Sequence, residues 1–475
     1  MSPFAKAASG VPGLDQLTRG GLPLGRSTLV AGKSGTGKSV LALQVATRLA
    51  GEGRPVLYAA VEESPEDLVA AADDLGFGAS ELVDAGRLRF LDMRRPADVP
   101  VVVTGEYDSA GFVERIAAEA RRHRAGALIV DSISALFTPR PPANALRSHF
   151  FHIVRSLRDL GLTALFTTEA SDDYSQPTVL GVEDYVCDLV LVLRNVVDGK
   201  RRRRTIEVHK YRSSPHFKGE YPCTVTEAGM TIFPLDALEE PPNDAPPDRF
   251  SSGMPGLDEM NSGGWLRDSI VLVRGPSGSG KTTLAGMYAS AGARRGERVA
   301  YYGFEETRRI LLRNFASLGL PMADLVDGGC LRLSCRYPEA TSPEDMLIDL
   351  RHDLDNFHPS LIVLDSISSI EHSTSADGFR TFLIGLAALL RERGRSALLV
   401  QTISTHAEAA QNQPFLSTVV DAILMLDYAA DAPRLERTMR VLKMRGSAHD
   451  TRKRRLAITA GGLSVESAKQ PGPKT

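Results

Sequence analysis

The chain has 475 residues, too many for one ordinary hydrophobic core, and two domains of about 230–240 residues are the natural division. With 43% hydrophobic and 24% charged residues, it has the composition of a globular protein rather than a fibrous or disordered one. Its formal net charge of −2 excludes a molecule-wide electrostatic pull on nucleic acid or anionic lipid.

The opening "MSPFAKAASG" lacks the apolar run of a signal peptide, and no later run is long enough to span a membrane. A soluble cytoplasmic protein is the expectation. The apolar run "STLVAG" reads as a buried strand and "SVLALQVATRL" as a helix; "GKSGTGKS", Gly32 to Ser39, joins them. This is the G-x-x-x-x-G-K-[ST] pattern of a phosphate-binding loop. Glycines let backbone N–H groups turn to the phosphates, so Gly35, Thr36, Gly37 and Val40 are expected to bind nucleotide through the main chain. Lys38 reaches the terminal phosphates and the Ser39 hydroxyl ligates Mg²⁺.

Next, "PVLYAAV" reads as a strand that delivers Glu62 and Glu63, either of which can orient or deprotonate an attacking water. "SPEDLVAAADDLG" is helical, and "ALIVD" is a strand ending on Asp131, where a magnesium carboxylate is expected. "LVLVLRNVVDGKRRRRTIEVHKYR" reads as an antiparallel hairpin turning at Asp198-Gly199, with the basic run Lys200–Arg204 as a solvated tip. Further on, Lys210-x-Arg212 sends two cations to one face of a strand. With Tyr211, Ser214 and His216 it is expected to reach a neighbouring subunit's nucleotide. One such finger opposite each phosphate loop implies a closed ring. The four cysteines (Cys187, Cys223, Cys330 and Cys335) contain no C-x-x-C pair and read as reduced thiols.

The proline-rich "EEPPNDAPPDR", Glu239 to Arg249, reads as a linker, and after it the pattern starts again. "GVPGLDQLTRGGLPLGRSTLVAGKSGTGKS" is answered by "GMPGLDEMNSGGWLRDSIVLVRGPSGSGKT", "VLYAAVEES" by "VAYYGFEET", "ALIVDSISAL" by "LIVLDSISSI" and "VHKYRSSPH" by "VLKMRGSAH". Matched blocks in one order are an internal duplication. The second copy therefore supplies Gly278, Ser279, Gly280, Lys281, Thr282 and Thr283 as its loop, and Glu305 and Glu306 as its carboxylate pair. Asp365 is its strand-end acid, and Lys443, Met444, Arg445 and His449 its finger. Thr282, Glu305 and Asp365 stand beside Ser39 and Asp131 as expected Mg²⁺ neighbours. The fold expected for each half is α/β, a mainly parallel sheet flanked by helices and closed by an antiparallel hairpin.

These blocks, with "LVLRNVVDGKRRRRTIEVHKYR" and "HFKGEYPCTVT", closely resemble the KaiC family of circadian-clock ATPases and autokinases. The resemblance implies two tandem RecA-like domains, over 1–238 and 250–465, stacked as rings in a homohexamer. ATP and Mg²⁺ are expected between subunits in both rings. It implies ATP hydrolysis in the first ring and, in the second, autophosphorylation and its reversal at Ser417 and Thr418 of "FLSTVVDAILML". Aligning Asp188 with Asp421 sets Asp184-Tyr185 against Ser417-Thr418, so only the second copy carries the hydroxyl pair. Implied partners are a KaiB-like protein on the first ring and output kinases. After Val465 only "ESAKQPGPKT" follows, a short flexible tail, so contact with a KaiA-like stimulator is not expected.

Two more departures from the family stand out: "AAQNQPF" ahead of the acceptor pair, and Leu318 where the family has a tryptophan beside the nucleotide. Two other readings stay open. One is a RecA-like DNA-dependent ATPase, favoured by Lys200–Arg204; the other is an ATP-gated scaffold that signals by binding partners. Which glutamate of each pair is the base, and which hydroxyl accepts first, is also open.

Overall fold

The computed structural model describes residues 5–94, 109–137, 142–170, 178, 181, 183–198, 201–234, 248–337, 342–403, 414–429 and 435–466. Most of the expected linker, Gly199-Lys200 at the hairpin tip, most of "AAQNQPF" and the tail after Glu466 lie outside these residues. The chain divides into two compact units, one built mainly from residues up to 237 and one from 238 on.

Among the described residues each unit holds a nine-stranded sheet. In the first, the order across the sheet is Gly229–Ile232, Glu220–Thr226, Arg201–Tyr211, Leu189–Asp198, Ser27–Gly32, Thr163–Thr168, Ala127–Asp131, Val56–Ala60 and Leu88–Asp92. From Leu189–Asp198 to Leu88–Asp92 the pairings are parallel, while Glu220–Thr226 runs antiparallel to both its neighbours. The second sheet repeats this layout, with Ile270–Gly275 between Ser396–Thr402 and Ala422–Tyr428 and an antiparallel run after Ala422–Tyr428.

The central strands read as unbroken apolar runs because both faces are covered. In the first unit Val30, Tyr58 and Ile129 enter the core beneath the helix Lys38–Gly51, while Leu29, Leu57 and Val130 enter the core on the other face. That two-sided burial locks the register, since a one-residue slip would exchange the faces. The basic run is a correction to the sequence reading: Arg201–Arg204 form the start of a strand, not a solvated turn. Alternation along that strand sends Arg204 toward the phosphate loop, where its Nε donates to Gly35 O at 3.4 Å.

Both phosphate-loop helices, Lys38–Gly51 and Lys281–Arg294, begin on a glycine in the left-handed region, Gly37 at φ 100° and Gly280 at φ 102°. Neither has a side-chain cap. By contrast, Ser64 caps the helix Pro65–Asp74 by accepting from Asp67 N, and Ser342 closes a full capping box. The first-turn N–H groups at the two loops are thus left for an anion.

Candidate active site

The carboxyl ends of the parallel strands gather the chemistry. In the first unit, Gly32 opens the phosphate loop, and Lys38 Nζ donates to Lys33 O at 3.1 Å. Thr36 is buried and its hydroxyl donates to Lys33 O at 2.8 Å, so its side chain braces the loop from within. Burial pulls the Lys38 ammonium below its ordinary value, and the charges of Asp131, Glu169 and Glu62 work against that. In the second unit Lys281 Nζ donates to Pro276 O at 2.8 Å. Its proton affinity is lowered by burial and partly restored by Asp365 and Glu305. Val40 and Thr283 are half-buried in the first turn of each helix, and Ser279 is fully buried.

The strand-end acids are held alike. Asp131 accepts from the Tyr58 hydroxyl at 2.8 Å and from Thr167. Asp365 accepts from Tyr301 at 2.7 Å and from Thr282. Burial pushes the Asp365 carboxyl up to about 6, the two hydrogen bonds and Lys281 pulling back and Glu305 adding to the rise. Tyr58 and Tyr301, both buried and both pushed far above the ordinary phenol range, are partners the sequence reading missed. Their recurrence at one place in the matched blocks "VLYAAVEES" and "VAYYGFEET" was the available signal. A peptide bond in the cis form follows each acid, at Asp131-Ser132 and Asp365-Ser366.

The glutamate pairs separate in space. The Ser132 hydroxyl donates to Glu62 Oε1 at 2.7 Å, and Ser366 and Ser369 donate to Glu305 Oε1. Glu306 instead accepts from Asn314 Nδ2 at 3.0 Å on the following helix. Glu62 and Glu305 are also the members of each pair whose charge acts on the loop lysine. Burial raises the Glu63 carboxyl, with Asp131, Glu62 and Asp67 adding to it.

The K-x-R motifs lie at the other end. Met444 pairs with Ala422 and Lys443 with Ile423, beside the amino end of the strand Ala422–Tyr428. There Lys443 Nζ donates to Ser417 O and, at 2.7 Å, to Val420 O, and Arg445 Nη2 donates to Thr418 O at 3.0 Å. Arg391 joins them, donating to Val419 O at 2.7 Å. These cations cap the carbonyl end of Pro414–Val419, the short helix that carries the exposed Ser417 and Thr418. Arg212, one residue past the strand Arg201–Tyr211 that carries Lys210, makes the matching bond to Tyr185 O in the first unit.

The residues between the cations turn inward. Tyr211 and Met444 point into their own cores, the Tyr211 hydroxyl donating to Gly21 O at 3.0 Å, so neither side chain is offered to a ligand. Ser214 is buried and accepts from Lys6 Nζ at 2.8 Å. His216 and His449 each lie 3.5 Å from a serine carbonyl two residues earlier. Arg204 and its counterpart Arg437, which donates to Gly278 O at 3.0 Å, are further loop contacts that the sequence reading did not assign.

The chain matches the family described as "ATPase: KaiC" twice, over residues 7–237 and 250–470. The chain belongs to the KaiC family. It is 38% identical over 460 residues to the circadian clock oscillator protein KaiC of Picosynechococcus sp., covering 96% of this chain and 89% of that one. The Rippkaea orientalis protein of the same name and KaiC 1 of Synechocystis sp. are each 37% identical, covering 96% of this chain and 88% of theirs. Each KaiC match embraces one whole sheet with its phosphate loop, strand-end acid and closing antiparallel strands. As a member of a KaiC family of ATPases the chain is a nucleotide-binding enzyme. Among the described residues no helix is long and apolar enough to cross a membrane.

Proposed function

We propose that the chain is a cytoplasmic, ring-forming ATPase and serine/threonine autokinase of a timekeeping system. The observation that carries this reading is the division of each site between opposite ends of a parallel sheet. In the second unit Gly275, Asp365 and Glu305 stand at or just past carboxyl ends, whereas Ser417, Thr418, Lys443 and Arg445 lie by the amino end of the strand Ala422–Tyr428. Ala422 pairs at the level of Val271, and the four residues from there to Gly275 span about 13 Å before the loop begins. A chain does not reach its own phosphate loop with its own hydroxyls, and a second copy has to supply them. Head-to-tail supply closes into a ring; six subunits is the number the family resemblance implies.

ATP is the substrate at both sites. In the second, Glu305 takes the proton of Thr418 or Ser417 from the adjoining subunit. The hydroxyl oxygen bonds to the γ-phosphorus as the bond to the β-phosphate oxygen breaks and ADP leaves. In the first, Glu62 serves water in the same way, an assistance of about 10²–10⁴ in rate. Lys210 and Arg212, or Lys443 and Arg445, neutralise charge on the neighbour's transferring phosphate, where such cations contribute about 10³–10⁵. The hydrogen-bonded Thr282 hydroxyl and Asp365 carboxylate suit Mg²⁺, which takes few protein ligands and completes its shell with phosphates and water. Ser39 and Asp131 are their counterparts; when bound, the ion offsets the phosphate charge.

Each phosphate brought to Ser417 or Thr418 adds about −1.5 to −2 charges. Arg391 and Arg445 each lie 3.6 Å from Asp421, so a new phosphate competes with that carboxylate for the same guanidinium groups. That competition is the switch. The names of the relatives support a clock role; a KaiB-like protein and output kinases are the partner classes that the family resemblance implies. The test is transfer of label from γ-labelled ATP by coexpressed Lys281→Ala and Ser417→Ala/Thr418→Ala chains. Neither labels alone, and the mixture is expected to label on the Lys281→Ala subunits. A mixture that stays unlabelled overturns transfer between subunits.

A further inference from the structure

The strand next to the phosphate-loop strand ends differently in the two units. Ala31 pairs with Thr168, so Glu169 emerges beside Gly32, and Ala170 N donates to Gly32 O at 3.2 Å. In the second unit Gly275 pairs with Thr402, and Ile403 N donates to Gly275 O at 3.1 Å. The two places are equivalent, but one carries an exposed carboxylate and the other a half-buried hydroxyl. The strand that delivers Glu169 runs between the loop strand and the strand of Asp131, while Glu62 arrives from the strand beyond Asp131. Among the described residues, carboxylates therefore flank the phosphate end of the first site from both sides, and that of the second site from one.

Water and an alcohol make different demands on such a site. An attacking water carries two O–H bonds: one proton passes to the base, and the other needs an acceptor if the oxygen lone pair is to stay aimed at phosphorus. A serine or threonine hydroxyl carries one and needs one acceptor. We infer that Glu169 is a catalytic residue of the first site, accepting the second hydrogen of the attacking water. Thr402 at the same place leaves the second site fitted to an alcohol. This rests on the proposed hydrolytic and transferring roles, and it states what makes them differ. In the first site the water oxygen bonds to the γ-phosphorus and the bond to the β-phosphate oxygen breaks. Glu62 receives one proton, and Glu169 holds the other on the product phosphate by a hydrogen bond. The position of Glu169 next to Lys38 is also felt electrostatically, since its charge raises the lysine's proton affinity.

The test uses full-length protein on a Lys281→Ala background, where phosphate release reports the first site alone. Glu169→Leu removes the acceptor and is expected to lower phosphate release by about 10- to 100-fold with ATP affinity within about twofold, as for loss of one oriented catalytic contact. Glu169→Gln keeps an acceptor oxygen and is expected to stay within about fivefold of the parent. On a Lys38→Ala background, Thr402→Glu is expected to raise the ratio of released phosphate to phosphoprotein at least threefold. Unchanged release by Glu169→Leu, or an equal loss in Glu169→Gln and Glu169→Leu, overturns the role, as does an unmoved partition ratio in Thr402→Glu. If Lys38→Ala added to the Lys281→Ala background still released phosphate at the parent rate, the hydrolytic assignment itself would fall, and this inference with it.

Discussion

Replacing Asp365 with asparagine is expected to stabilise the ligand-free second unit while ending its use of nucleotide. The carboxyl is buried and pushed up to about 6 from an ordinary 3.8. At about 1.36 kcal/mol per tenfold, keeping it ionised in the fold at pH 8 costs about 3 kcal/mol. Asparagine removes that cost but has one acceptor oxygen in place of two, and weakening of the Tyr301 or Thr282 bond gives back about 1–2 kcal/mol. The net gain at pH 8 is about 1–2 kcal/mol. Because the proton is held more tightly folded than unfolded, this group's contribution to wild-type stability is fully present below 3.8. It is lost as pH rises through about 6. Between pH 8 and pH 5 the wild type regains about 1.4 kcal/mol from it, so the advantage of the variant shrinks by that amount. The chain has a single tryptophan, Trp265, which is buried in the second unit and reports its unfolding by denaturant. A variant less stable than wild type at pH 8, or an advantage that grows toward acid, refutes the reasoning.

Tyr301→Phe deletes a donor that holds the Asp365 carboxyl down, so its apparent value should rise further and ATP binding should weaken more at pH 6.5 than at pH 8, as read by calorimetry. Ser366→Ala removes one of the two serine donors that orient Glu305, leaving Ser369, and is expected to cut Ser417/Thr418 labelling by about tenfold with little change in ATP affinity, whereas Asn314→Ala, which removes the donor to Glu306, should leave labelling within about twofold. Gly280→Ala places a Cβ at φ 102°, 3.1 Å from Ile458 Cδ1; a loss of about 1–3 kcal/mol in Trp265-monitored unfolding and weaker ATP binding are expected. Lys38→Ala should abolish first-site hydrolysis and spare labelling, and Lys281→Ala the reverse, measured side by side by phosphate release and radiolabel.

Much of this was legible from residue order. The repeated blocks, the two phosphate loops, the strand-end acids and the alternation of strand and helix are local patterns, set by side-chain period and by what a glycine permits. Such features travel with the sequence, because neighbours along the chain are enough to specify them. The duplication does more, since Glu62-Glu63 and Glu305-Glu306 stand out from other surface acids only because they recur behind the same strand.

What residue order could not decide was pairing across the sheet. Whether Glu62 or Glu63 faces the phosphate loop depends on Ser132, some seventy residues away, and the choice between Glu305 and Glu306 on Ser366 and Asn314. Glu169 and Thr402 carry no motif; they matter because strand order sets each beside a phosphate loop more than a hundred residues distant. Arg204 reads as one more charge in a basic run until the strand brings it to Gly35 O. The opposition of loop and hydroxyl pair is likewise a matter of which strand end each segment meets. Sequence specifies the parts because their conformations are local; tertiary packing assigns the partners, since hydrogen bonds and charges act through distance in space and not along the chain.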